Sequence, residues 1–254
     1  MSLDTVVLGM ASLLPPLRRP GGVRVLCYHT VMPRAEDTED RFAVTSDTLE
    51  AHLSLIRATG HTLTSITDLE RTSGEAVLLT FDDNLISHLN VSVPVLRSAG
   101  ATATFYLCPG DLGAAGQLRV DHVRTLLGAG MTVGAHGKHH RLVVKMGPAE
   151  FTREVAVCRD FLQSFGMPLT WAYPGGHIGS YRQHHEQILR DYGFATRFVT
   201  LEGVCRPSPR RVQPRYVIRR RSSIRYLRAA VGGGLQLVAL AKRLRAIATL
   251  DTKA

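Results

Sequence analysis

This 254-residue sequence predicts an α/β fold built on a parallel sheet. Three observations point there. Short β-rich runs alternate with helical patterns, and strand-helix alternation favours parallel strands joined by right-handed crossovers. Residues able to carry chemistry, Asp82, Asp83, His136 and Tyr173, fall at the C-terminal ends of predicted strands, where barrels of this class place their sites. The length also suits one domain, since single α/β barrels commonly run to roughly 200–250 residues.

Taken in order, strand 23–28 precedes helix 46–59, and strand 77–81 precedes helix 85–99. Strand 103–107 precedes helix 120–130, 132–135 precedes 148–165, and 169–173 precedes 181–192, with a last strand at 195–199. The first helix shows the ordinary amphipathic pattern. Leu49, Leu53 and Ile56 form one stripe, Thr45 or Ser46 can cap its start, and Gly60 ends it. No ligand types converge on it, and its His52 is expected at the surface.

The informative residues lie beyond the second strand. Thr80-Phe81-Asp82-Asp83-Asn84 ends the apolar run Val77-Leu78-Leu79. Neighbouring strand residues point to opposite sides, yet at a strand's end both can reach one pocket. Two carboxylates there could cap the next helix, or bind a metal or an arginine, either of which offsets the cost of burying them. His136 and His140 shift the balance toward chemistry. They are four residues apart, one helical turn if the segment coils, and imidazole is a common transition-metal ligand. A carboxylate, two imidazoles and a second carboxylate are the parts of a mononuclear metal hydrolase.

Six segments, in this order, resemble the polysaccharide deacetylases, carbohydrate esterase family 4, also called the NodB-homology domain. They are V-L-C-Y-H-T-V (25–31), L-T-F-D-D-N (79–84), A-T-A-T-F-Y-L (101–107), G-A-H-G-K-H-H (134–140), W-A-Y-P-G-G (171–176) and D-Y-G-F-A-T (191–196). The resemblance spans about Val23 to Ile218. It implies a distorted (β/α)7 barrel of the NodB-homology type and hydrolysis of the acetamide of an N-acetylated amino sugar, such as N-acetylglucosamine in a glycan, a precursor or a small glycoside. By the same resemblance Asp82 is the general base, and Asp83, His136 and His140 bind one divalent metal, zinc first, with cobalt or nickel also suited. His139, next to the second ligand, stays outside the set. Tyr173, Pro174 and Gly175 form the oxyanion loop, with the Gly175 N–H facing the developing charge.

Three positions depart from the family pattern. Asn84 replaces a glycine, a change an asparagine can absorb because it tolerates positive φ. Ala172 stands where many members carry an arginine that orients the base, which leaves Arg215 as the candidate partner for Asp82. No histidine follows His185, so the late histidine that supplies the acid in many members is missing. His29, after Tyr28 at the first strand's end, is the preferred substitute, ahead of His177 on the oxyanion loop. A backbone carbonyl at the barrel mouth could equally satisfy the His29 ring.

Composition constrains the rest. The four cysteines, Cys27, Cys108, Cys158 and Cys205, are scattered and read as reduced thiols. Residues 1–20 read as an N-terminal arm, because no positive charge precedes their apolar stretch as it does in a signal peptide. Residues 21–220 form the catalytic domain, and 221–254 a basic amphipathic extension. The formal charge is +10, and seven arginines fall within the sixteen residues from Arg206 to Arg221. Such a segment suits a solvated tail, an anionic membrane face or a phosphate group. A single Trp171 and few aromatics argue against nucleic acid. The expected location is cytoplasmic, with a peripheral membrane contact through the basic end. The rival functions are hydrolysis of another C–N bond, a formamide or imide, and a non-catalytic sugar-binding domain.

Overall fold

The computed structural model describes residues 21–34, 38–177, 179–206, 208 and 211–235. The arm 1–20 and residues 236–254 of the basic extension lie outside the described residues.

The strands are β1 (Gly22–Tyr28), β2 (Val31–Met32), β3 (Val44–Thr45), β4 (Thr62–Thr64), β5 (Glu75–Asp82), β6 (Thr104–Leu107), β7 (Thr132–Ala135), β8 (Thr170–Ala172), β9 (Thr196–Val199), β10 (Gln213–Pro214) and β11 (Tyr216–Val217). The main sheet runs β10-β9-β8-β7-β6-β5-β1-β11, every neighbouring pair parallel, and β4 adds to the first half of β5. β10 and β11 are separated by Arg215 alone. β10 pairs with β9 and β11 with β1, so the segment from Gln213 to Val217 joins the two ends of the sheet. The Arg215 N–H donates to the Val199 carbonyl at 2.9 Å and the Ile218 N–H to that of Cys27 at 2.8 Å, one bond to each side. Counted this way, seven strands form a nearly closed barrel, the (β/α)7 architecture.

Alternation along β5 explains what fills that barrel. Ala76 and Leu78 pack inside with Val23 and Val25 of β1, Tyr106, Ala172 and Phe198. Val77, Leu79 and Phe81 face outward into the core shared with the helices. Period-two geometry places Thr80 and Asp82 on the inward face, so the interior turns from apolar to polar toward the strand's C-terminal end.

Helices α1 (Ser46–Ala58), α2 (Val93–Ser98), α3 (Val120–Gly128), α4 (Pro148–Ser164), α5 (Gln183–Asp191) and α6 (Ile224–Val231) cover the sheet. α1 starts as its sequence predicts: Thr45 Oγ1 accepts from the Thr48 N–H at 3.1 Å. Leu49, Leu53 and Ile56 are buried, each contributing about 1.5–3 kcal/mol. His52 does not lie at the surface as expected. It is 1% exposed, its Nδ1 3.0 Å from the Tyr28 hydroxyl, because Leu49, His52, Leu53 and Ile56 share one helical face. The helix expected over 85–99 is irregular, a wide turn over His88–Ser92 leading into α2, with Pro94 in the first turn of the latter. α6 falls within the segment assigned to the extension, yet it packs on α1 and buries Leu227, Ala230 and Val231 in the common core. Among the described residues no helix is long and apolar enough to cross a membrane.

Candidate active site

The C-terminal end of β5 turns sharply after Asp82. Asp83 has φ +74°, a left-handed conformation rare outside glycine, and this swings its carboxylate away from the strand direction. The positive φ therefore falls on Asp83 and not on Asn84. Asn84 has a different task, one the sequence did not signal. Its side chain donates to the Cys108 carbonyl at 2.7 Å and accepts from the Cys108 N–H at 2.8 Å, which ties the turn to the end of β6. Neither aspartate caps a helix, since the first helical turn beyond them has no side-chain cap.

His136 and His140 meet by a different route from the helical turn their spacing suggested. The segment after β7 is a loop. Gly137 at φ +78° and His140 at φ +50° reverse the chain and bring the two rings to 4.9 Å between centroids. Asp83 Oδ1 lies 3.4 Å from His140 Nε2 and 3.8 Å from His136 Nε2. One donor atom from each of Asp83, His136 and His140 lies within 4.8 Å of the others, a set that can hold a metal ion.

The surroundings of His136 make the fit chemical as well as spatial. Its Nδ1 lies 2.7 Å from the Ala172 carbonyl, which can only accept, so Nδ1 carries the proton and Nε2 presents its lone pair to the cluster. Burial lowers the His136 pKa against the opposing pull of Asp82 and Asp83, which favours the neutral, ligating form. This carbonyl is the orienting group that sequence reasoning could not supply, because any residue at position 172 offers it. His139 stays apart, its Nδ1 2.6 Å from Asp111 Oδ1.

Asp82 is 2% exposed and held by Arg215, itself fully buried. Arg215 Nη1 donates to Oδ1 at 2.6 Å and Nη2 to Oδ2 at 2.7 Å, a bidentate pair. Nη1 also reaches Thr80 Oγ1 at 3.2 Å, while Tyr106 and Phe198 flank the guanidinium at 5.5 and 5.8 Å. Burial alone would raise the Asp82 carboxyl, but Arg215 and then His136 hold it well below the usual carboxylate range. Cys27 Sγ is 3.3 Å from Asp82 Oδ2, and burial pushes its thiol pKa up, so it stays protonated. Cys27, His29 and Asp82 form a second cluster of ligand types. Both Asp82 oxygens are already taken by Arg215, so that cluster does not match the first as a metal cradle.

The His29 ring stacks on Phe42 at 4.6 Å, and its Nδ1 is buried with no hydrogen-bond partner, carbonyl or other, among the described residues. Instead the His29 carbonyl itself lies 3.1 Å from His88 Nε2. On the loop after β8 Tyr173 is committed inward, its N–H to the Phe198 carbonyl at 3.0 Å and its hydroxyl to Glu186 Oε1 at 2.5 Å. Pro174 is buried against Gly137. Gly175 is exposed at φ +72°, and its N–H makes no hydrogen bond among the described residues. His177 is exposed, its Nδ1 accepting from the Gly179 N–H at 3.2 Å.

Residues 70–196 match the family model described as polysaccharide deacetylase, a span that includes Asp82, Asp83, His136, His140 and Tyr173 to Gly175. The chain belongs to the polysaccharide deacetylase family. Relatives of this deacetylase are distant in sequence and near in fold. YxkH of Bacillus subtilis (strain 168), whose name places it in the same family, is 22% identical over 73% of this chain and 67% of its own length. The Streptococcus pyogenes deacetylase PplD, solved with acetate, superimposes with a TM-score of 0.74 at 22% identity, covering 84% of this chain and 99% of the other. IcaB from Ammonifex degensii gives 0.71 at 22% identity over 84% and 98%.

Proposed function

We propose that the protein is a metal-dependent N-deacetylase that hydrolyses the acetamide of an N-acetylated amino sugar to acetate and the free amine. The observation that carries this reading is the Asp83, His136 and His140 cluster set beside an arginine-clamped Asp82. A zinc ion held by the three ligands would polarise the amide carbonyl and acidify a water, and cobalt or nickel would fit the same donors.

The chain's own groups divide the remaining work. Arg215 fixes both Asp82 oxygens, so the carboxylate cannot rotate, and it accepts the proton of the attacking water from one orientation. Gly175 offers its exposed N–H to the oxyanion. His29, beside Asp82 and with a free ring nitrogen, donates the proton that the departing amine needs. Asp82 is a weak base because Arg215 holds its pKa down, so turnover depends on how far the water is acidified.

The test is acetate release from N-acetylhexosamine substrates, from simple glycosides to oligomers and diphosphate-linked sugars, using chelated protein and protein reconstituted with zinc or cobalt. Release restored by metal supports the reading. Silence across the panel with one equivalent of metal bound would sink it and favour a formamide or imide.

A further inference from the structure

A cleft of about 710 Å³ lies on the catalytic end of the barrel, lined by Thr38, Glu39, Asp40, Arg41 and Arg219 to Arg221. We propose that it is a phosphate-recognition subsite of the active site, so that the substrate is an N-acetylated amino sugar bearing a phosphate or diphosphate. This inference rests on the deacetylase reading above.

Four arginines from two chain segments line the cleft. Arg41 belongs to the loop between β2 and β3, and Arg219 to Arg221 follow β11. The Arg220 N–H donates to the Arg41 carbonyl at 2.9 Å, and the Arg220 side chain reaches the Thr38 carbonyl, so the two segments form one wall. The opposing charge is smaller. Asp40 is engaged, accepting from Thr30 Oγ1 at 2.6 Å and the Phe42 N–H at 2.8 Å, which leaves Glu39 as the uncommitted carboxylate of the lining. Arg219 and Arg221 are exposed and form no ion pair among the described residues. A solvated charge run would also be arginine-rich, but it would not be folded into a concave wall beside a catalytic centre.

Ring contacts give the distance to the chemistry. The Arg41 guanidinium lies 4.8 Å from the Phe42 ring centroid, and Phe42 stacks on His29 at 4.6 Å. One aromatic ring therefore separates the first arginine from the histidine beside Asp82. A hexosamine with its acetamide at the metal cluster spans that gap to present a phosphate group to the arginines. Guanidinium forks match phosphate oxygens two at a time, and the volume suits a small charged ligand better than an extended neutral polymer.

The test titrates inorganic pyrophosphate and UDP-N-acetylglucosamine into the metal-loaded full-length protein, its Arg219→Ala/Arg221→Ala form and its Arg219→Lys/Arg221→Lys form. The expected result is binding that weakens about tenfold or more in the alanine form and partly recovers in the lysine form. In parallel, kcat/KM for N-acetylglucosamine 1-phosphate should fall further than that for the neutral methyl glycoside. Pyrophosphate held by the metal itself would ignore the arginine changes, so equal binding by all three proteins overturns the subsite. Capture by phosphatidylglycerol vesicles without binding of either soluble diphosphate overturns it too, because the arginines would then serve a lipid headgroup. Arginine-dependent pyrophosphate binding with no acetate released from any substrate supports the subsite and counts against the reaction alone.

Discussion

At the scale of single residues, Asp82 and Arg215 bear the sharpest expectations. Asp82→Asn should keep stoichiometric metal and lose turnover about a hundred- to ten-thousand-fold, read from metal analysis and acetate release together. Loss of metal in this variant would show that Asp82 is a ligand. The same change leaves the Arg215 charge buried alone, so it should also destabilise the fold, and assays belong below its unfolding midpoint. Arg215→Met strands the Asp82 carboxylate in turn and should cost about 3–5 kcal/mol by urea unfolding. His29→Ala should slow turnover about a hundred- to ten-thousand-fold while metal content holds, and an unaltered rate would assign the acid elsewhere.

Elements explain why these residues meet, and they decide what could be read beforehand. The grouping of Asp83, His136 and His140 was legible because a strand end and a histidine pair each leave a side-chain mark, whereas Arg215, one of seven arginines in sixteen residues, was reached only through the family pattern in which Ala172 replaces an arginine. The route was not legible. His136 and His140 come together through a loop turned at Gly137 and His140, and backbone reversals of that kind leave no periodicity. The Ala172 carbonyl leaves no mark at all. His52 was misjudged because the stripe Leu49, Leu53 and Ile56 did not reveal how wide the buried face would be, and Tyr28 supplied the hydroxyl that made burial tolerable.

That burial has a measurable consequence for α1. It lowers the His52 pKa from 6.5 to about 4. The unfolded chain takes up a proton as pH falls past 6.5, whereas the folded chain does so only near 4. Stability is therefore lost across that window, by up to about 3 kcal/mol, and levels off below it. His52→Gln keeps a partner for Tyr28 and should flatten the fall between pH 6.5 and 4 in urea unfolding. The loop at Gly175, proposed to meet the oxyanion, answers to a different test. Gly175→Ala places a Cβ 2.7 Å from Leu142 at φ +72°, so the loop must shift and turnover should drop about a hundredfold while metal content holds.

For the whole molecule, a metal held by Asp83, His136 and His140 would link binding to folding, because Asp83 of one loop and the histidines of another are joined only in the folded barrel. Zinc at a thousand times its dissociation constant should stabilise the protein by about 4 kcal/mol, raising the unfolding temperature, and chelation should reverse the rise. Asp83→Ala should abolish the response; a response that persists would place the metal elsewhere.

The segment that joins the sheet's ends also sets an order in time. β1 is the first strand of the described residues, yet its outer edge waits for Tyr216 and Val217, almost the whole described chain later. Contacts this distant in sequence slow folding, and an unpaired strand edge invites wrong partners meanwhile. A nascent chain would hold Asp83, His136 and His140 before Arg215 emerges, so Asp82 gains its partner last. Completion of the reaction machinery then coincides with closure of the barrel.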